Sequence, residues 1–175
     1  MKKLVFSAAA IALATVTSVI KLPFNLPFGG SVTLLSMFFV CLVGWMFGLK
    51  TGLMAAFAHG LLQLLIEPYV ISIPQLLTDY IFAFGALGLS GIFHDKKNGL
   101  IKGYIVGILG RFIFAYISGL IFFGTYAADY NLVPEVYSFL YNGSYIGLEA
   151  AITLILIALP PVSSALKRIK KLSAE

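Results

Sequence analysis

Charge is what this sequence has least of. Charged residues make up 11% of the 175-residue chain against 60% hydrophobic residues, and the mean hydropathy is +0.99. A soluble domain of this length has too little interior to hide that much apolar surface, so the chain reads as an integral membrane protein. Cysteine is nearly absent: Cys41 stands alone in an apolar run, which excludes a disulfide framework and a cysteine metal site. The two histidines, His59 and His94, are too far apart in sequence for a metal-ligand spacing. No glycine-rich phosphate loop is present, which excludes nucleotide binding by that route. A net charge of +5 suggests nucleic acid only until the basic residues are placed, because their positions follow membrane topology.

What is there is a series of apolar runs. Breaks at Pro, Gly and charge clusters divide the chain into a single membrane domain over 1–175, all-α, with six transmembrane helices at about 3–20, 33–48, 52–66, 74–93, 100–124 and 134–159. The N-terminal Lys2-Lys3 and the apolar run after them resemble a secretory signal, but no soluble chain follows, and the run is read as a retained helix. Its Ala8/Ala12 and Ala10/Ala14 pairs form small-xxx-small faces on which another helix can pack, although alanine is also simply common in membrane helices. Ten of the twelve Lys and Arg residues (2, 3, 50, 96, 97, 102, 167, 168, 170 and 171) fall on one side when the N-terminus is cytoplasmic. The positive-inside rule therefore places both termini in the cytoplasm, with Lys167 to Lys171 as a basic tail after Pro160-Pro161.

The fourth run, from Gln75 to Phe93, organises the rest. It carries Asp79 close to its outer end, with Tyr80 next and Gln75 four residues before, on the same helix face. A carboxylate in a membrane span is expensive and marks a partner or a ligand; the plainer reading is an Asp capping its own helix. In the sixth run Tyr137, Tyr141, Tyr145 and Glu149 recur every four residues, beside a stripe of Ser138 and Asn142. An interfacial aromatic belt accounts for Tyr137 and Tyr141, but not for the deeper Tyr145 and Glu149. With a rise of about 1.5 Å per residue, Asp79 lies roughly 8 Å below the outer start of its helix and Glu149 about 22 Å down its own. Arg111, midway along the fifth run, has a depth and sign that match Glu149, so those two are expected to form a structural ion pair. That leaves the Asp79 carboxylate among aromatics, an arrangement suited to a flat organic cation.

Those residues resemble the thiamine-specific S components of energy-coupling factor (ECF) transporters over nearly the whole chain. The resemblance is carried by Pro27-Phe28-Gly29-Gly30-Ser31-Val32-Thr33, by Gln63 to Val70, and by Asp79 to Phe93. It continues in Arg111-Phe112, Ser118 to Gly124, Tyr126-Ala127 and Tyr137 to Tyr145. It implies a transporter subunit, not an enzyme, in the plasma membrane of a bacterium. Such a subunit captures thiamine at the outer face and works with a membrane scaffold subunit and two ATPases, which use the ATP; it needs no cofactor or metal of its own. By position, Asp79 matches the acidic residue that faces the thiazolium, and Tyr80, Tyr137 and Asn142 match hydrogen-bonding and ring contacts. Phe123 matches a stacking aromatic and Tyr69 another pocket tyrosine. The loop around Gly29-Gly30 matches the segment that closes over the site, and the helix-one alanines match the scaffold-docking face. With Gln75 and Tyr141 from the helical spacing, these form the expected ligand set. Ala115 departs from the pattern, standing where a histidine normally packs on the aminopyrimidine ring. The alternatives left open are an S component for a thiamine precursor (its pyrimidine or thiazole half) or another flat heterocycle, a small membrane enzyme using Asp79 or Glu149, and a structural membrane subunit.

Overall fold

The computed structural model describes residues 2–23, 26–28 and 30–174; Asn25 and Gly29 of the first loop lie outside the described residues. The chain is helical almost throughout. Five helices are long and apolar enough to cross a membrane: α1 (Lys2–Val19), α3 (Leu49–Ile66), α4 (Ile73–Phe93), α5 (Gly99–Phe122) and α6 (Pro134–Ala158). The shorter α2 (Ser36–Phe47) completes a six-helix bundle. A seventh helix, α7 (Pro160–Ala174), forms where the sequence suggests a basic tail. The Pro160-Pro161 pair reads as a terminator, yet proline is well suited to a first helical turn, where its missing N–H costs nothing.

The bundle is built around α4, which packs on α2, α3 and α5. This helix changes winding along its length. A first turn at Ile73–Leu76 is capped by Ser72, whose Oγ accepts from the Gln75 N–H at 3.2 Å. A π-helical stretch follows at Leu77–Phe82, then a short α turn, then a 3-10 stretch at Ala86–Phe93. Ser72, not Asp79, is therefore the cap. Three residues per turn in the last stretch line up Gly88 and Gly91 on one edge. A side chain on either would strike the backbone of α3 around Gly52-Leu53 or Gly48-Leu49, so the glycines permit an approach that no other residue allows. Between α2 and α3 the chain reverses at Gly48 with φ +83°, a left-handed conformation that glycine adopts without strain.

Both ends of the bundle are tied. At one end Lys170 of α7 donates to the Trp45 carbonyl at 2.9 Å and to the His94 carbonyl, and lies 4.6 Å over the Trp45 ring. Burial there pulls the Lys170 ammonium below its usual pKa. At the other end Lys21 pairs with Glu67 at 2.7 Å, and the first loop folds back through an antiparallel bridge of Lys21 with Thr33. The basic tail and the charged 94–98 loop thus share one end, which the positive-inside rule assigns to the cytoplasm. Leu4, Val5, Leu13 and Val16 of α1 are exposed, as lipid-facing side chains should be.

Two expectations from the sequence need correction. Arg111 and Glu149 do not pair. The Glu149 carboxylate accepts from the hydroxyls of Thr33, at 2.5 Å, and Ser36, at 3.1 Å, and from the Met37 N–H, also at 3.1 Å. It thereby satisfies the N-terminus of α2, where Leu35 sits at φ 63° and supplies no cap of its own. Arg111 instead lies 4.3 Å from the centre of the Phe84 ring. The second correction concerns α1: Ala10 and Ala14 are buried inside the bundle, so that pair is not free to meet a partner, whereas Ala8 and Ala12 are exposed.

Candidate ligand-binding site

The outer ends of α4, α5 and α6 enclose a cavity of about 400 Å³. Asp79 and Tyr80 reach it from the π-helical stretch of α4, a winding often found where a helix must present side chains at a functional site. Gln75 holds the carboxylate: its Nε2 donates to Asp79 Oδ2 at 2.6 Å and to the Tyr69 carbonyl at 3.1 Å, while its Oε1 accepts from the Ile71 N–H. The helical spacing that puts Gln75 and Asp79 on one face is thus realised as a direct contact. Among the described residues Asp79 has no ion-pair partner; Arg111 lines the same cavity without reaching it.

Aromatic rings form the flanks. On one side Tyr69 and Phe123 lie 5.9 Å apart and Phe123 and Tyr126 6.4 Å apart, and the Tyr69 and Tyr126 hydroxyls meet at 3.3 Å. That hydrogen bond pushes the Tyr69 phenol above its ordinary pKa. On the other side Tyr137, Tyr141 and Tyr145 run down α6 with successive centroids 5.9 Å and 5.7 Å apart. Phe28 of the first loop leans on Tyr130 at 5.5 Å and on Tyr137 at 6.5 Å.

Of the residues singled out in the sequence, Asp79, Tyr80, Gln75, Tyr69, Ala115, Phe123, Tyr137, Tyr141 and Asn142 all line this cavity. Gly30 does not. It lines an adjoining cavity of about 340 Å³, polar and shared with Arg111 and Tyr145. Gly30 has φ +85°, and a side chain there would press on the Tyr145 ring. Glu149 lines neither. Two of the lining residues are already engaged. The Tyr80 hydroxyl donates to the Glu67 carbonyl at 2.9 Å and accepts from the Tyr69 N–H at 2.8 Å, fixing the turn after α3. Asn142 Nδ2 donates to the carbonyls of Ala115 and Ser138, and its Oδ1 accepts from Tyr145.

Sequence reasoning did not single out Ser118, Gly119, Arg111 or Tyr126 as lining residues, nor Phe28 as a loop contact. A signal existed for Ser118: it stands one turn after Ala115 on the face of α5 that meets α6.

A bundle of membrane-spanning helices that opens at its outer end into a cavity of small-molecule size, lined by aromatic rings with one carboxylate and one guanidinium, defines a membrane protein for capturing an organic ligand. The chain belongs to the thiamine transporter protein family, which it matches over residues 4–169. It is 32% identical over 169 residues to the thiamine transporter ThiT of Bacillus subtilis (strain 168), covering 89% of this chain and 85% of that protein. Its fold is similar to that of ThiT from Listeria monocytogenes, with a TM-score of 0.71 and 25% identity over 91% of this chain and 94% of that one. Membership in a family of transporters sets aside the readings as a membrane enzyme or as a purely structural subunit.

Proposed function

We propose that this chain is the substrate-binding S component of an ECF-type importer and captures thiamine at the extracellular face for ATP-driven uptake. The observation that carries the reading is the Asp79 carboxylate, held by Gln75 and without an ion-pair partner among the described residues, in an aromatic cavity at the end opposite the basic cluster. Thiamine carries a fixed positive charge on one flat ring and hydrogen-bonding groups on another. A carboxylate neutralises the first, and the Tyr69–Phe123 and Tyr137–Tyr141 flanks present ring faces to both. The family and the printed function of the Bacillus subtilis relative support the same substrate. No phosphate-binding loop is present in the sequence, so ATP hydrolysis belongs to partners: a membrane scaffold subunit and two ATPases. Closure falls to the Lys21–Val32 loop, whose Phe28 already rests on Tyr137.

A second reading has one observation behind it. Ala115 lines the cavity with a methyl group where the family pattern has a ring, leaving room for a different flat heterocycle or one half of thiamine. Calorimetric titration of the purified protein in detergent decides between them. Calorimetry is preferred to tryptophan emission because Trp45 lies at the far end, against Lys170. Thiamine is expected to bind at low micromolar levels or tighter, and Asp79→Ala to weaken it by about a hundredfold or more, since removing one partner of a desolvated charge pair leaves the other uncompensated. Unchanged affinity in that variant would sink the cation model. Binding of the pyrimidine or thiazole half with no response to thiamine would transfer the function to a precursor.

A further inference from the structure

Among the described residues, α7 lines neither cavity. It carries no acidic residue and four basic ones, Lys167, Arg168, Lys170 and Lys171. Nor does it prolong α6. Leu159 between the two helices is extended, with ψ 128°. Yet Lys170, ten residues into the helix, still touches the Trp45 and His94 carbonyls near the cytoplasmic ends of α2 and α4. Ten residues of helix cover about 15 Å, so a helix that continued along the axis of α6 would carry Lys170 clear of the bundle. α7 therefore runs across the cytoplasmic end. It lies beside α1, whose Leu4 and Val5 are exposed at that same end.

The winding of α7 gives it three faces, about a third of a turn apart. Val162 and Leu166 face the bundle core, and Lys170 turns to the same side, spent on its two carbonyls. Ile169 and Leu172, 38% and 49% exposed, form an apolar strip on the second face. Lys167, Arg168 and Lys171 are exposed on the third, and none has an ion-pair partner among the described residues. The one described acid at this end, Asp95, pairs with His94. An apolar strip beside a row of cations, on a helix lying across the end of a membrane bundle, matches the boundary between acyl chains and headgroups. Long basic side chains reach from that level to phosphate oxygens, and three unpaired cations complement an anionic lipid, not a zwitterionic one. We propose that α7 is an interfacial helix whose Lys167, Arg168 and Lys171 bind the phosphate headgroups of anionic phospholipids in the cytoplasmic leaflet, with Ile169 and Leu172 among the acyl chains. Headgroup binding at this end is independent of which ligand the cavity holds.

The test is native mass spectrometry of the full-length protein in detergent, titrated with phosphatidylglycerol and with phosphatidylcholine of identical acyl chains. Wild type is expected to prefer phosphatidylglycerol by about tenfold or more, since each basic residue near an anionic surface contributes about a fivefold gain. Lys167→Gln combined with Arg168→Gln and Lys171→Gln should bring that preference to within about twofold. A matched triple variant, Lys50→Gln with Lys96→Gln and Lys97→Gln, removes the same charge from the same end and should keep most of the preference. Equal retention of the two lipids by wild type overturns the proposal, as does an equal loss from both triple variants. A preference untouched by the α7 variant, with uptake lost in cells that express the complete transporter, overturns it too and assigns the basic face to a protein partner. Thermal melts accompany each titration. If the α7 triple variant does not fold, Lys167→Gln with Lys171→Gln takes its place, with the preference expected to fall by about fivefold or more.

Discussion

At the residue scale, the site combines two charges of opposite sign, Asp79 and Arg111, with many ring faces, and the position that departs from the resemblance is Ala115. The methyl group points into the cavity from α5, beside the carbonyl that holds Asn142. Ala115→His places a ring in that space, and if the ligand is thiamine the added ring face and hydrogen-bonding nitrogen should tighten binding severalfold, by about 0.5–1.5 kcal/mol for an aromatic contact. Comparison of calorimetric dissociation constants checks it; a weaker complex would mean the space is used by a larger ligand. Residue-level reading of the sequence succeeded where a neighbour relation is local. Gln75 and Asp79 are one turn apart, and the helix alone brings them together. It failed for Arg111 and Glu149 because depth in the membrane fixes only the coordinate along a helix, not the direction in which a side chain points. Glu149 points at the start of α2 and Arg111 at Phe84.

At the element scale, two helices carry features that hydropathy does not encode. Apolar length revealed α4 as a span, but its π-helical and 3-10 stretches depend on which carbonyl each N–H chooses, and the glycines that favour the tight stretch read equally well as ordinary membrane glycines. Substituting valine at Gly88 should therefore prevent α4 from seating on α3 and abolish a cooperative thermal transition, whereas valine at the open Gly147 should leave the transition within a few degrees of wild type. The start of α2 gives a second element-level expectation. Its Met37 N–H and the Thr33 and Ser36 hydroxyls converge on Glu149 from a segment continuous with the loop over the cavity. Glu149→Ala strands these donors and should lower stability by about 1–3 kcal/mol, read as a fall in the melting temperature in detergent. Arg111→Met should lower it far less, because no ion pair with Glu149 is lost; equal losses would revive the pair.

At the scale of the whole molecule, α1 has two faces that ask different things of the same residue type. Ala10 and Ala14 are the inner face, with Ala14 fully buried in the core beside α2. Ala8 and Ala12 form an exposed strip among lipid-facing Leu4, Val5, Leu13 and Val16. On the proposed reading of the chain as a subunit that rides on a membrane scaffold, a smooth strip of this kind is where a partner helix can come close, since helices pack in lipid by van der Waals fit and not by hydrophobic drive. Ala12→Leu should therefore leave thiamine binding by the isolated chain unchanged within twofold while cutting uptake by cells that express the complete transporter several-fold or more. Ala14→Leu overpacks the interior, costs about 1–3 kcal/mol, and should lower the melting temperature of the isolated chain before any question of uptake arises. Uptake that survives Ala12→Leu undiminished would move the docking surface off this strip. The cytoplasmic α7, held by Lys170 against Trp45 and lying beside α1, is then the next face to test.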